Sequence, residues 1–174
     1  MPEKLTLKSD WMPYDKLASH IKQGDLIEIK KVNYIFFTIC HWAVAVQVEP
    51  NDCFVVGLSK DSKVYLKRLS KLTYGKRCRV NNTFDKAYAP FSQHETVKRA
   101  LYCIGMTEHV YNFNKYNCEH FAKECRNGVA VSHQVNNAGI FVYPGNWIRE
   151  TANLSSSVSE ELTGHSAKHL IHIS

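Results

Sequence analysis

No apolar run in this 174-residue chain is long enough to cross a bilayer as a helix. The longest, Tyr34 to Val48, is interrupted by His41 and falls short of the about 20 residues a span requires. Its β-branched and aromatic residues point to strands instead. No secretory leader is expected either, because Met1 to Asp10 is polar and charged. The six cysteines, Cys40, Cys53, Cys78, Cys103, Cys118 and Cys125, are therefore expected as reduced thiols in the cytoplasm rather than as a disulfide framework. Those with apolar neighbours act as small hydrophobes. Neither Cys118 with His120 nor His165 with His169 completes four ligands at zinc spacing, so neither a metal nor another cofactor is expected. There is no zinc-finger, RNA-recognition or helix-turn-helix signature, which leaves a nucleic-acid partner without support. Internal repeats and low-complexity blocks are absent too.

What is present is ordinary globular material. Hydrophobic residues make up 44%, and 22 basic against 16 acidic side chains give a net charge of +6. An excess of that size suits transient contact with an anionic membrane surface, although most basic residues are scattered, as in Lys30-Lys31 and Lys67-Arg68. The organisation read from the sequence is an N-terminal arm (1–19), a catalytic domain (20–144) and a polar tail (145–174) that carries His165, His169 and His172. Within the arm, Trp11-Met12-Pro13-Tyr14 reads as a segment laid over the core.

After a turn at Gly24-Asp25, strands are expected at Leu26 to Val32, Tyr34 to Thr38, His41 to Val48, Cys53 to Leu58 and Val64 to Leu69. Their short connections imply an antiparallel sheet. Lys71 to Asp85 reads as irregular, with a short strand end at Arg79-Val80. Ser92 and Glu95 then announce a helix whose apolar stripe is Val97, Ala100, Leu101 and Ile104, closing at Gly105. A second helix should run from Asn117 to Asn127-Gly128, and a third should start at Ser132.

The chemistry is concentrated in Asn117-Cys118-Glu119-His120-Phe121. Asn117 is a good N-cap, which puts Cys118 in the first helical turn, where unpaired N–H groups and the positive dipole end are expected to lower a thiol pKa. A thiol nucleophile needs a base, a group that orients the base, and donors for the oxyanion. His41, followed by Trp42-Ala43 in a rigid strand, is the candidate base. His120 is a weaker one, since adjacent first-turn positions point in different directions. Cys125, two turns along the same side of the helix, reads as core rather than as a resolving thiol.

The chain resembles the lecithin:retinol acyltransferase superfamily, and most closely its HRAS-like suppressor group of phospholipase A and acyltransferases, the H-box/NC proteins. The matching stretches are Gly24-Asp25-Leu26-Ile27-Glu28-Ile29, His41-Trp42-Ala43, Arg79-Val80-Asn81-Asn82, Asn117 to Phe121, and Gly128-Val129-Ala130 with Gln134-Val135. They follow the family's order across roughly residues 20–136. The resemblance implies an α+β, permuted papain-like fold related to bacterial cell-wall (NlpC/P60-like) peptidases, with an antiparallel sheet packed against helices and the nucleophile at a helix N-terminus. It also implies a phospholipid substrate. An acyl chain would be held as a thioester on Cys118, with His41 as general base, and passed to water or to an amine such as phosphatidylethanolamine.

Two departures stand out. The family usually carries a second histidine that orients the first, in a Val-Val-His-Leu context. Here the stretch is Phe54-Val55-Val56-Gly57-Leu58, and the preceding turn, Glu49 to Asp52, reads as lengthened. Three outcomes are open: another polar side chain replaces the histidine, a backbone carbonyl or water does, or the site is impaired and the protein binds rather than catalyses. The other departure is the C-terminal hydrophobic anchor of many relatives, which this sequence does not show. Some picornaviral 2A proteins share the His and Asn-Cys boxes without an anchor, so a viral H-box/NC protein is also compatible. A peptidase or amidase, by analogy with the cell-wall enzymes, is the third reading.

Overall fold

The computed structural model describes residues 7–33, 38–106 and 109–133. Its centre is a five-stranded antiparallel sheet, β1 (Leu26–Asn33), β2 (Thr38–Glu49), β3 (Asp52–Leu58), β4 (Val64–Arg68) and β5 (Cys78–Val80), in the order β4-β3-β2-β1-β5. Among the described residues, four α-helices accompany it: α1 (Tyr14–Leu17), α2 (Leu69–Thr73), α3 (Gln93–Tyr102) and α4 (Cys118–Asn127). The fold is thus α+β, as the strand and helix patterns indicated.

Because strand side chains alternate between faces, the sheet has two apolar surfaces. Leu26, Trp42, Val44, Val46, Phe54, Val56 and Leu58 pack with Ala100 of α3 and with Cys118, Phe121, Ala122 and Cys125 of α4. Ile27, Ile29, Ala43, Ala45, Cys53 and Val55 face Leu17 of α1 and Leu69 of α2. A fully buried aliphatic side chain of this kind contributes about 1.5–3 kcal/mol, so the sheet is fixed from both sides and its edges can carry functional groups.

Entry into the sheet is set by Gly24, whose φ of 84° lies in the left-handed region. The Gly24 amide donates to the Ala45 carbonyl at 2.7 Å, and the Ala45 amide to the Asp25 carbonyl at 2.9 Å. The N-terminal arm lies over the core: Met12 bridges to Cys78, Leu17 is fully buried, and Trp11 is covered by the Lys30 and Arg79 cations at 4.8 and 4.0 Å.

Several local expectations change. The stretch divided into two strands around residue 40 is one strand, β2, from Thr38 onward; residues 34–37 lie outside the described set. Glu49 pairs with Asp52, so the connection read as lengthened is a two-residue turn at Pro50-Asn51, and the irregularity falls inside β2, between Ala45 and Gln47. The segment read as irregular overlaps α2 and a 3₁₀ turn at Thr83–Lys86, while the short strand expected at Arg79-Val80 is β5. Leu69 and Leu72 of α2 pack on the sheet, a tertiary contact that outweighs weak local propensity. The third helix expected from Ser132 and the tail at 145–174 fall almost wholly outside the described residues. Among the described residues, no helix is long and apolar enough to cross a membrane.

Candidate functional site

The start of α4 is built by Asn117. Its backbone is extended (φ −116°, ψ −175°), and its Oδ1 accepts the Glu119 amide at 2.9 Å and the His120 amide at 3.2 Å. In return the Asn117 amide donates to His120 Nδ1 at 3.1 Å, which closes a reciprocal capping box. Asn117 Nδ2 reaches the Phe113 carbonyl at 2.9 Å and Ser132 Oγ at 3.3 Å. His120 is therefore occupied in holding the helix start. Burial pushes its imidazole pKa down to about 4, so the ring is neutral, and its Nδ1 is engaged by the Asn117 amide rather than free to meet the thiol.

Beneath the cap, Glu119 is fully buried. Its carboxylate accepts from Lys123 Nζ at 2.6 Å, Ser132 Oγ at 2.6 Å and the His133 amide at 3.0 Å. Burial alone would raise the Glu119 pKa, but the Lys123 charge and these donors hold it below the ordinary carboxylate value. The Lys123 ammonium lies over the Phe84 and Trp42 rings at 4.7 and 5.3 Å. Through Lys123, the helix that carries the thiol is keyed to the strand that carries His41.

Cys118 occupies the first turn of α4 and is buried. The amides of Trp42, of Cys118 itself and of Glu119 are directed at its sulfur and favour the thiolate, yet burial outweighs them and pushes the thiol up to about 11. The expectation that the helix start would lower this pKa is thus corrected: the donors act in the anticipated direction, and desolvation exceeds them. His41 directly precedes Trp42, whose amide faces the sulfur. The last cross-strand pair of β2 with β3 at this end is Val44 with Val56, so His41 and Trp42 lie beyond it, where β2 pairs only with β1. Burial, followed by the charges of Lys31, Lys67 and Lys60, pushes the His41 imidazole down to about 3. At neutral pH the two groups are an uncharged thiol and an uncharged imidazole.

The space beside Gly57 is occupied from the neighbouring strand. Gly57 of β3 pairs with Tyr65 of β4. A Cβ placed on Gly57 would lie 2.5 Å from the Tyr65 hydroxyl oxygen and 2.9 Å from Cζ, so the phenol fills the space a side chain there would need. That hydroxyl is hydrogen-bonded to His41 Nε2, with the two rings stacked at 5.9 Å and 25°. Burial, reinforced by the nearby Cys118, raises the Tyr65 pKa well above its ordinary value, so the phenol keeps its proton. Burial, and after it the same proximity to Cys118, raises Tyr111. His41, Tyr65, Tyr111 and Cys118 thus share one locality.

A model of the lecithin retinol acyltransferase family matches residues 19–131. The chain belongs to this family. Within it, the chain groups with the phospholipase A and acyltransferases. Phospholipase A and acyltransferase 1 of Homo sapiens is 30% identical over 128 residues, 66% of this chain and 73% of that protein. Phospholipase A and acyltransferase 3 of Mus musculus is 33% identical over 131 residues, covering 67% and 77%. Phospholipase A and acyltransferase 5 of Homo sapiens is 31% identical over 156 residues, and the chain spans about half of it, 54%.

For a member of the lecithin retinol acyltransferase family, two groups at this site were not anticipated from sequence. Tyr65 was passed over as one aromatic in a strand, although a glycine opposite an aromatic in a hairpin is a recognisable pairing. The Ser59 to Lys63 connection, closed by the Ser59 amide on the Lys63 carbonyl at 2.9 Å, would have given that register. Lys123 stands one helical turn from Glu119 in the sequence, and only the tertiary fold reveals that it is buried beside it.

Proposed function

We propose that this chain is a thiol-dependent phospholipase A and acyltransferase acting at a membrane surface, with Cys118 as nucleophile and His41 as general base. The observation that carries the reading is the Trp42 amide directed at the Cys118 sulfur, which brings the helix start against the strand residue next to His41. Family membership and the names of the relatives support the substrate class. A permuted papain-like architecture is part of the same reading.

In this mechanism the Cys118 sulfur attacks the ester carbonyl carbon of a glycerophospholipid while its proton passes to His41. The amides of Trp42, Cys118 and Glu119 around the sulfur donate to the oxyanion that forms. Collapse breaks the acyl C–O bond, and the leaving lysophospholipid oxygen takes the proton back from His41. What remains is a Cys118 thioester and a neutral imidazole. Water or an amine then attacks the thioester carbonyl, His41 again accepting the proton and returning it to the departing sulfur. Because thiol and imidazole are both uncharged at rest, proton transfer accompanies attack rather than preceding it.

The test is incubation with a labelled phosphatidylcholine in micelles. A Cys118 acyl adduct should appear by mass spectrometry together with released fatty acid, and both should vanish in Cys118→Ala. A folded sample that yields neither would instead support the disabled, binding-only alternative raised by Gly57.

A further inference from the structure

We infer that Tyr65 is the positioning residue of this site, taking from β4 the place that the family fills with a histidine on β3, and that Gly57 is the vacancy that admits it. The inference rests on the proposed roles of Cys118 and His41 and specifies how the base is held. Three observations converge on it. The phenol oxygen meets His41 at Nε2. The Gly57 Cβ position is excluded by that same oxygen and by Cζ, and also lies 3.2 Å from the Trp42 carbonyl oxygen. The cross-strand register pairs these two residues directly. Either a side chain at position 57 or the Tyr65 phenol can occupy the space, but not both.

The hydrogen bond has a direction that matters. For His41 to take a proton through Nδ1, Nε2 must carry the hydrogen and donate it to the Tyr65 oxygen, which has lone pairs to accept it. A neutral phenol can stand in this way for a neutral second imidazole, because each offers one lone pair to the Nε2–H. When the ring becomes cationic during attack, the same bond strengthens and disperses the new charge. Were the phenol to donate to Nε2 instead, Nδ1 would hold the hydrogen and could not act as base. The tautomer of His41 therefore reports directly on what Tyr65 does. Lys67, whose ammonium lies over the Tyr65 ring at 5.0 Å, keeps the ring in place without using the hydroxyl.

The experiment combines Tyr65→Phe, Tyr65→Ala, Gly57→His and the double variant Gly57→His with Tyr65→Ala. Folding of each is checked by thermal melting. Ring ¹⁵N chemical shifts of His41, which need no substrate, should show hydrogen on Nε2 in the wild type and a mixture of tautomers in Tyr65→Phe. Acylation of Cys118 by a labelled phospholipid should fall roughly ten- to hundred-fold in Tyr65→Phe, as expected for loss of one buried acceptor. Gly57→His alone should lose activity because the new side chain collides with Tyr65, and the double variant should recover activity relative to Tyr65→Ala. An Nδ1–H tautomer in the wild type, or a Tyr65→Phe protein with unchanged tautomer and rate, overturns the inference. A wild-type protein inert toward lipids would count against the proposed function alone, since the tautomer measurement still decides what Tyr65 does.

Discussion

Two residues with opposite shifts define how this site can work. Cys118 is pushed up to about 11, chiefly by burial, and His41 down to about 3, by burial and then by three lysines. A preformed thiolate–imidazolium pair would need the imidazole to be the stronger base, and here the order is reversed. The sign is unambiguous. A histidine whose pKa is lowered stays neutral, and competent as a base, throughout the neutral range. It becomes protonated only as pH falls toward about 3 rather than through its ordinary 6.5. A raised thiol keeps its proton until pH nears about 11. The expected outcome is a kcat/KM for phospholipid hydrolysis that is level from about pH 5 to pH 9, with no inflection near 6.5. Alkylation of Cys118 by iodoacetamide at a series of pH values should in turn keep rising through pH 9 rather than levelling off near neutrality. A plateau beginning near pH 6 would mean an ion pair exists at rest.

The element that organises the site is α4, and its hold on the rest of the molecule is the Glu119–Lys123 pair, one helical turn apart and both 1% exposed at the side chain. Removing one partner of such a pair costs about 3–5 kcal/mol, because the other charge is left buried and alone, whereas replacing both with apolar groups of similar volume is far less costly. Glu119→Gln should therefore lower the urea midpoint markedly, and adding Lys123→Met should recover part of the loss; equal midpoints for the two variants would show that Lys123 is not charged in the folded state. Much of α4 was legible beforehand. Asn117 at the cap, Cys118 in the first turn and Gly128 past the end are local signals, and the structure bears them out, with Gly128 at φ 71°. The strands at Leu26 and Cys53 were legible for the same reason, as short apolar, β-branched runs bounded by turn residues. What stayed hidden is non-local. Glu119 with Lys123 looks like a solvent-exposed i, i+4 pair until Phe84 and Trp42 close over it. The thiol pKa was misjudged because the helix start is visible in sequence and the burial that opposes it is not. At Gly57 the sequence left three outcomes open, because the side chain that meets His41 there, Tyr65, lies on the next strand.

At the scale of the whole molecule, charge and apolar exposure gather near His41 and Tyr111. Lys31, Lys60 and Lys67 are exposed, and all three charges act on the His41 ring. Val110, 72% exposed, and Phe113, 39% exposed, flank Tyr111, whose amide donates to Ser62 Oγ at 2.8 Å, tying this loop to the β3–β4 turn that bears Lys60. Through the Tyr111–Ser62 hydrogen bond, basic side chains able to meet lipid phosphates are thus held near apolar ones able to enter the acyl boundary, in the neighbourhood of His41. A lysine near an anionic leaflet contributes about 1 kcal/mol, and the effect is screened by salt. In a sedimentation assay the protein should bind phosphatidylcholine vesicles containing phosphatidylserine more tightly than pure phosphatidylcholine, and raising the salt should narrow the gap. Reversing Lys31, Lys60 and Lys67 to glutamate should weaken binding to the anionic vesicles by at least about a hundredfold. Val110→Asp should weaken binding to both vesicle types and change its salt dependence little. If the triple variant binds anionic vesicles as the wild type does, the membrane-facing side of the molecule lies elsewhere, and the lysines serve only to hold His41 neutral.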